Sequence, residues 1–267
     1  MANTKGPQPI FDDLVKVIER LSNTKFDANS VEPFDLKQMR QKEAQLAASE
    51  IAIQRQNKRK TWINDIHKEG IVDSRFKFET IIQDDLNRIA IQTAQGFCGS
   101  CVESLNESDD TAVCLLVRGG EGSGKTVIAN AIANKWLELT GHIVNILSMD
   151  DIRKACLYNQ NEIRQERLDR GDKWDSFCSI SLLIIDGLCA NKEQLSPFDQ
   201  KIFSSLLRIR QQKRLPLVIT TQLDYAALHQ AIGDYCFESI KEYSVMASAL
   251  YGGSRRAPIV FNGRRLM

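Results

Sequence analysis

Hydrophobic and polar positions follow two rhythms along this chain, and the change falls near residue 112. Before it the pattern is helical. Residues 1–9 are polar, carry two prolines and read as disordered. Over residues 10–21, Leu14, Val15, Val17, Ile18 and Leu21 recur at helical spacing. A break at Ser22–Pro33 follows. Residues 35–60 then run without Gly or Pro through a charged stretch of strong helix formers, with sparse apolar positions at Leu36, Met39, Ala44, Leu46, Ile51 and Ile53. Such a helix builds little core alone and needs another helix or another protein. Residues 61–80, with Gly70, Phe76 and Phe78, read as a linker. Asp84–Ser104 reads as a helix with Leu86, Ile89, Ile91 and Ala94 on its apolar side.

From Ala112 onward, short apolar runs alternate with helical stretches. Strands are predicted at 113–118, 143–148, 181–186, 216–221 and 258–261, and helices at 125–140, 150–168, 197–213 and 235–249. Apolar strands separated by helices predict an α/β fold: a parallel five-stranded sheet with helices on both faces, preceded by an α-helical N-terminal segment. Right-handed crossovers put any ligand beyond the carboxyl ends of the strands.

Composition changes this picture little. The chain has 267 residues, 43% hydrophobic and 26% charged, which is ordinary for a globular protein. No apolar run is long enough to cross a bilayer, and the N-terminus lacks the apolar stretch of a secretory signal, so the expected location is cytoplasmic, with no membrane partner. Seven cysteines scattered through apolar contexts suit reduced core thiols; Cys98 and Cys101 form a lone C-x-x-C, short of the four ligands of a zinc site. The net charge of +1 is uninformative, but basic residues cluster at Arg55–Lys60, Arg208–Arg214, Arg255–Arg256 and Arg264–Arg265. Each cluster is either a solvated face or a basic patch.

The chemistry concentrates at Gly119, Gly120, Glu121, Gly122, Ser123, Gly124, Lys125 and Thr126, which fit G-x-x-x-x-G-K-[ST] with a strand before and a helix after. Glycines let the backbone turn its N–H groups toward phosphate oxygens, and the helix N-terminus adds positive potential. Lys125 is expected to reach the β- and γ-phosphates of ATP, and Thr126 to bind Mg²⁺. The run Ser181–Asp186 ends a buried strand in a carboxylate, so Asp186 is the expected second metal residue. The next position is Gly187, which has no side chain to act as a base, and no catalytic residue is assigned.

These parts, with Phe76–Thr80 ahead of the core and the stretch Ser148–Ile152, make the chain resemble the DnaC-type replicative helicase loaders, AAA+ (additional-strand P-loop) ATPases related to the initiator DnaA and the IstB transposition ATPases. The resemblance covers roughly residues 55–265. It implies a helicase-binding segment at 1–60, a linker at 61–80 and an ATP-binding domain at 81–267. It implies a hexameric replicative helicase and single-stranded DNA as partners, with self-association on the helicase ring. It also implies a polar residue near the γ-phosphate, at Thr221 or Gln222. Where the family carries glutamate after the Walker B aspartate, this chain has Gly187; Tyr235 and Ser239 stand where arginines are expected, with Lys241 near the finger position. Weak or absent hydrolysis follows as an expectation. Phe76, Phe78 and Tyr251 are candidate base-stacking residues. An IstB-like transposition helper is the alternative, and a small-molecule kinase, with Arg164, Arg167 and Arg170 as a lid, a third.

Overall fold

The computed structural model of the chain describes residues 16–21, 36–106, 112–157, 164–191, 193–256, 260–261 and 264–265. The expected disordered start, the first residues of the helix expected at 10–21 and the break at 22–33 lie outside them. Residues 16–21 are helical. The chain divides into two compact units, residues 1–57 and 58–267.

Helix α1 (Leu36–Lys68) runs through the stretch expected to be a helix and continues past residue 60. Every residue from 37 to 57 is exposed, including the apolar Met39, Leu46, Ile51 and Ile53. From Trp62 the same helix buries side chains: Trp62, Ile63 and Ile66 pack into the second unit's core.

That second unit is an α/β sandwich. Its elements are α2 (Arg88–Asn106), β1 (Val113–Gly119), α3 (Lys125–Thr140), β2 (Val144–Leu147), α4 (Met149–Cys156), α5 (Arg164–Ser179), β3 (Leu182–Leu188), α6 (Pro197–Gln212), β4 (Leu217–Thr221), α7 (Tyr225–Ile232), α8 (Asp234–Lys241) and β5 (Ser244–Leu250). The five strands are parallel in the order β2-β3-β4-β1-β5. The strand pleat sorts neighbouring residues into two cores. Leu183, Ile185, Leu217 and Ile219 face one core, with Ile152, Phe203 and Phe237 from the helices. Leu182, Ile184, Val218 and Val117 face the other, with Phe97 of α2 and Ile132 and Trp136 of α3. Both faces are covered, which is why the strands read as unbroken apolar runs.

Four sequence expectations are corrected. The fifth strand is Ser244–Leu250, not 258–261, and the helix expected at 235–249 stops at Lys241. Ser-Val-Met-Ala-Ser-Ala-Leu carries a weak pattern of small and mixed residues, and its pairing with β1 decides its state. Val260–Phe261 instead pairs antiparallel with Arg264–Arg265 as β6 and β7. The helix expected at 150–168 is two helices, α4 and α5. In α2, Ile91 and Ala94 are buried as expected, while Leu86, ahead of the helix, and Ile89 are exposed.

Several basic residues hold the fold together. Arg59 donates to the Leu137 carbonyl through Nε (3.3 Å) and Nη2 (2.9 Å), and also to the Glu138 carbonyl, at the C-terminus of α3, where a cation is favoured. Arg210 is wholly buried without a carboxylate partner among the described residues. It donates to the carbonyls of Phe177 (3.0 Å), Ile180 (2.8 Å) and Pro216 (2.7 Å), tying the end of α5 to the entries of β3 and β4. Burial holds its pKa down to about 10, which still leaves it protonated at neutral pH.

Candidate functional site

Sheet order assembles the site. β1 ends at Gly119 and passes into the glycine loop, while β4 lies between β1 and β3, so the ends of three adjacent strands converge. Gly122 (φ +73°) and Gly124 (φ +103°) adopt the left-handed conformation that favours glycine. Gly119 is tight for a different reason: a Cβ there would lie 2.9 Å from Leu250 Cβ. Among the described residues no side chain caps α3 at Gly124, which leaves its first-turn amides available to an anion. Lys125 Nζ donates to the carbonyls of Gly119 (2.8 Å) and Gly120 (2.7 Å). Desolvation holds the Lys125 pKa below the usual lysine range; Asp186 and Glu121 pull it up, and Arg256 pushes it down.

Across from the loop, Thr126 Oγ1 donates to Asp186 Oδ2 at 2.7 Å, bringing together the two residues expected to hold a metal. Thr220 Oγ1 donates to the other carboxylate oxygen at 2.5 Å and accepts the Gly187 N–H at 2.8 Å. This corrects the expectation for Thr221, whose buried hydroxyl donates to the Leu188 carbonyl at 2.9 Å and lies outside the cleft. Parity carried the signal: Thr220 shares its face with Val218, on the side of α3, as Asp186 does with Ile184. Gly187 has φ +71°, within a register shift between Ile185 and Leu188, so the position after the Walker B aspartate is one that side chains rarely occupy.

Gly122–Thr126, Asp186 and Gly187 border a cleft of about 810 Å³, and Thr220 acts on it through Asp186. Its floor runs from Glu121 to Ile128, with Asp186, Gly187 and Gln222 at one end. Phe76, Ile81, Ile82, Asn87 and Leu250 supply a largely apolar wall, of which only Phe76 was a candidate from sequence. Asn87 holds the turn into α2: its Oδ1 accepts the Asp84 N–H (2.8 Å) and its Nδ2 donates to the Ile82 carbonyl (2.8 Å). Ser123 Oγ is buried with no hydrogen-bond partner among the described residues. The apolar wall, the uncapped helix start and the Thr126–Asp186 pair fit a nucleoside triphosphate with a divalent cation. In that arrangement Gly120–Thr126 would hold phosphate, and Thr126 and Asp186 the cation.

The remaining candidates lie elsewhere. Tyr235 is exposed under the Arg208 guanidinium at 4.4 Å, Ser239 is buried, and Lys241 pairs with Glu238 at 2.7 Å. Of the stacking candidates, Phe78 is a core residue, Phe76 borders the cleft and Tyr251 is exposed. Cys98 and Cys101 are buried in α2, where desolvation raises both thiols, Cys98 to about 12. Ser148 and Asp151 form a reciprocal cap on α4: the Asp151 N–H donates to Ser148 Oγ (3.3 Å) and the Ser148 N–H to Asp151 Oδ2 (2.9 Å).

Residues 77–240, more than half the chain, match the family described as IstB-like ATP binding protein. No curated protein matches the sequence. Among solved structures, the DnaC helicase loader aligns with a TM-score of 0.53 at 17% identity, over 67% of this chain and 98% of that one. DnaI aligns at 0.52 and 20% identity, over 68% and 91%. AMPPCP-bound DnaA from Aquifex aeolicus aligns at 0.53 and 15% identity, over 67% of this chain and 51% of that one. At these identities the likeness shows the AAA+ P-loop fold alone. Among the described residues no helix is long and apolar enough to cross a membrane. The sheet order, the glycine loop and the family match agree, and the chain belongs to the IstB-like ATP-binding proteins.

Proposed function

We propose that this chain is an ATP-dependent switch that grips a hexameric replicative helicase and helps place it on single-stranded DNA, hydrolysing ATP slowly or not at all. One observation carries the reading. Lys125, Thr126 and Asp186 gather the parts that hold Mg·ATP, while the adjacent position is Gly187 at φ +71°, with no carboxylate to activate water. Binding without a water-activating base suits a protein whose nucleotide state sets a partner's state.

The exposed apolar residues of α1, Met39, Leu46, Ile51 and Ile53, support residues 1–60 as the helicase-gripping segment. Phosphate contacts by basic residues would make DNA binding tolerant of sequence and sensitive to salt. Copies seated side by side on the ring would account for self-association.

The test is size-exclusion chromatography with the cognate helicase, with and without Mg·ATP, alongside a steady-state hydrolysis assay. Co-elution, its loss in a chain beginning at Thr61, and turnover well below about one per second, the low end of ordinary enzymes, are expected. Fast turnover abolished by Lys125→Ala would contradict the switch.

The family match favours a second reading, a helper ATPase for transposition that binds duplex DNA and a transposase. Capture of a transposase and not of the helicase would select it. A small-molecule kinase is disfavoured: of the expected lid arginines, Arg170 is described, and it does not border the cleft.

A further inference from the structure

One side of α3 carries Thr126, Asn130, Asn134 and Glu138 at every fourth position, in a helix whose other buried residues are apolar. Thr126 faces Asp186, and the next three bind the chain between α1 and α2. Asn130 Nδ2 donates to the Thr126 carbonyl at 2.9 Å, and its Oδ1 accepts the Asp73 N–H at 2.8 Å. Asn134, one turn on, is 3% exposed. Its Nδ2 donates to the carbonyls of Asp73 (2.9 Å) and Phe76 (2.8 Å), with that of Asn130 at 3.1 Å. An amide oxygen only accepts, so His67 Nε2, 2.7 Å from Asn134 Oδ1, carries the proton. Lys77 Nζ donates to Glu138 at 3.0 Å and ends the row.

Asn134 therefore joins three parts: α3, whose first turn floors the cleft, the segment 73–76, and the last turn of α1. Arg75 and Phe76 of that segment border the cleft, and Phe76 belongs to its apolar wall. His67 follows Trp62, Ile63 and Ile66, which pack into the same core as α3. An apolar residue at 134 would fill the interior, but it would take this partner from two carbonyls and the His67 N–H.

We propose that Asn134 is a positioning residue for the nucleotide base. By fixing residues 73–76 to α3 it holds Phe76 where the base of a bound nucleoside triphosphate rests, and through His67 it joins that wall to the last turn of α1. The inference rests on the nucleotide reading above. What orders the wall also orders the helix end, so nucleotide binding and docking of residues 59–68 favour each other by one common factor. The phosphate seat is the glycine loop, to which the Asn134 side chain makes none of these bonds.

Displacement of a fluorescent ATP from the full chain by ATP and by inorganic tripolyphosphate, each with Mg²⁺, tests it. Asn134→Leu keeps the side-chain volume and removes the amide. It should weaken ATP about tenfold, the scale of one lost buried hydrogen bond, and leave tripolyphosphate unchanged. His67→Leu should weaken ATP in the same selective way, and His67→Gln, which restores an N–H near the Nε2 position, should return the natural affinity. Backbone amides of residues 60–68 should exchange more slowly when Mg·ATP is bound to the natural chain, and not in Asn134→Leu. If Asn134→Leu does not fold, His67→Leu and His67→Gln carry the test. Unchanged ATP affinity in the variant tested, equal losses for ATP and tripolyphosphate, or a natural chain that binds ATP no more tightly than tripolyphosphate overturns the positioning role and leaves the nucleotide reading standing. Binding of neither by the natural chain removes the nucleotide reading itself, and this inference with it.

Discussion

The Thr126 hydroxyl and the Asp186 carboxylate, sixty residues apart in sequence, meet at 2.7 Å because α3 starts directly over the carboxyl ends of β1, β4 and β3. Thr220 binds the second carboxylate oxygen from the strand between, so the aspartate is oriented from two sides.

That geometry separates two neighbouring threonines. Thr220→Val removes a hydroxyl that orients Asp186, and should weaken Mg·ATP binding several-fold, on the order of one charged hydrogen bond. Thr221→Val should leave nucleotide affinity unchanged and cost about 1 kcal/mol of stability through its lost bond to Leu188. Nucleotide titration beside a denaturant melt distinguishes them; the opposite pattern would return Thr221 to the site.

Supplying the absent acid should not create a fast ATPase. In Gly187→Glu the new side chain must adopt φ +71°, at a cost of about 1–2 kcal/mol, or shift the bulge and re-aim its carboxylate. The expected result is a lower melting temperature with turnover still slow. Brisk hydrolysis in this variant would mean the backbone holds a base position ready.

Arg210→Met tests the buried staple. Three carbonyls lose their donor, so stability should fall by at least about 3 kcal/mol, read as a lower denaturation midpoint. A neutral result would mean that the carbonyls find other donors.

Acid should loosen the contact between α4 and α6. Asp199, almost fully buried, accepts from Arg153 at 2.7 and 2.6 Å and from Ser196 at 2.7 Å. The Arg153 guanidinium is the main cause holding its pKa below the usual value. Because the folded-state value is depressed, this contribution is fully present above the unfolded carboxylate pKa of about 4 and is lost as pH falls through the lower folded value. Denaturant melts between neutral pH and about pH 3 should show this loss in the natural chain and a smaller one in Asp199→Asn.

The sheet and the phosphate loop were legible because each rests on local rules: buried strands read as apolar runs, and Gly119–Thr126 sits where strand passes to helix. The fifth strand was not, because Ser244–Leu250 owes its state to pairing with β1, a contact between distant residues that local pattern does not carry. Thr220 was missed in favour of Thr221, although strand parity, which puts it on the face of Val218, carried the signal. The ion pair of Asp84 with Arg255, 171 residues apart, had no sequence signal at all.

Titration calorimetry of Mg·ATP into the full chain tests the central claim most directly. The account predicts saturable one-to-one binding that Lys125→Ala abolishes, while the variant keeps the natural melting temperature. Absence of any heat of binding, or unchanged binding in Lys125→Ala, would contradict it.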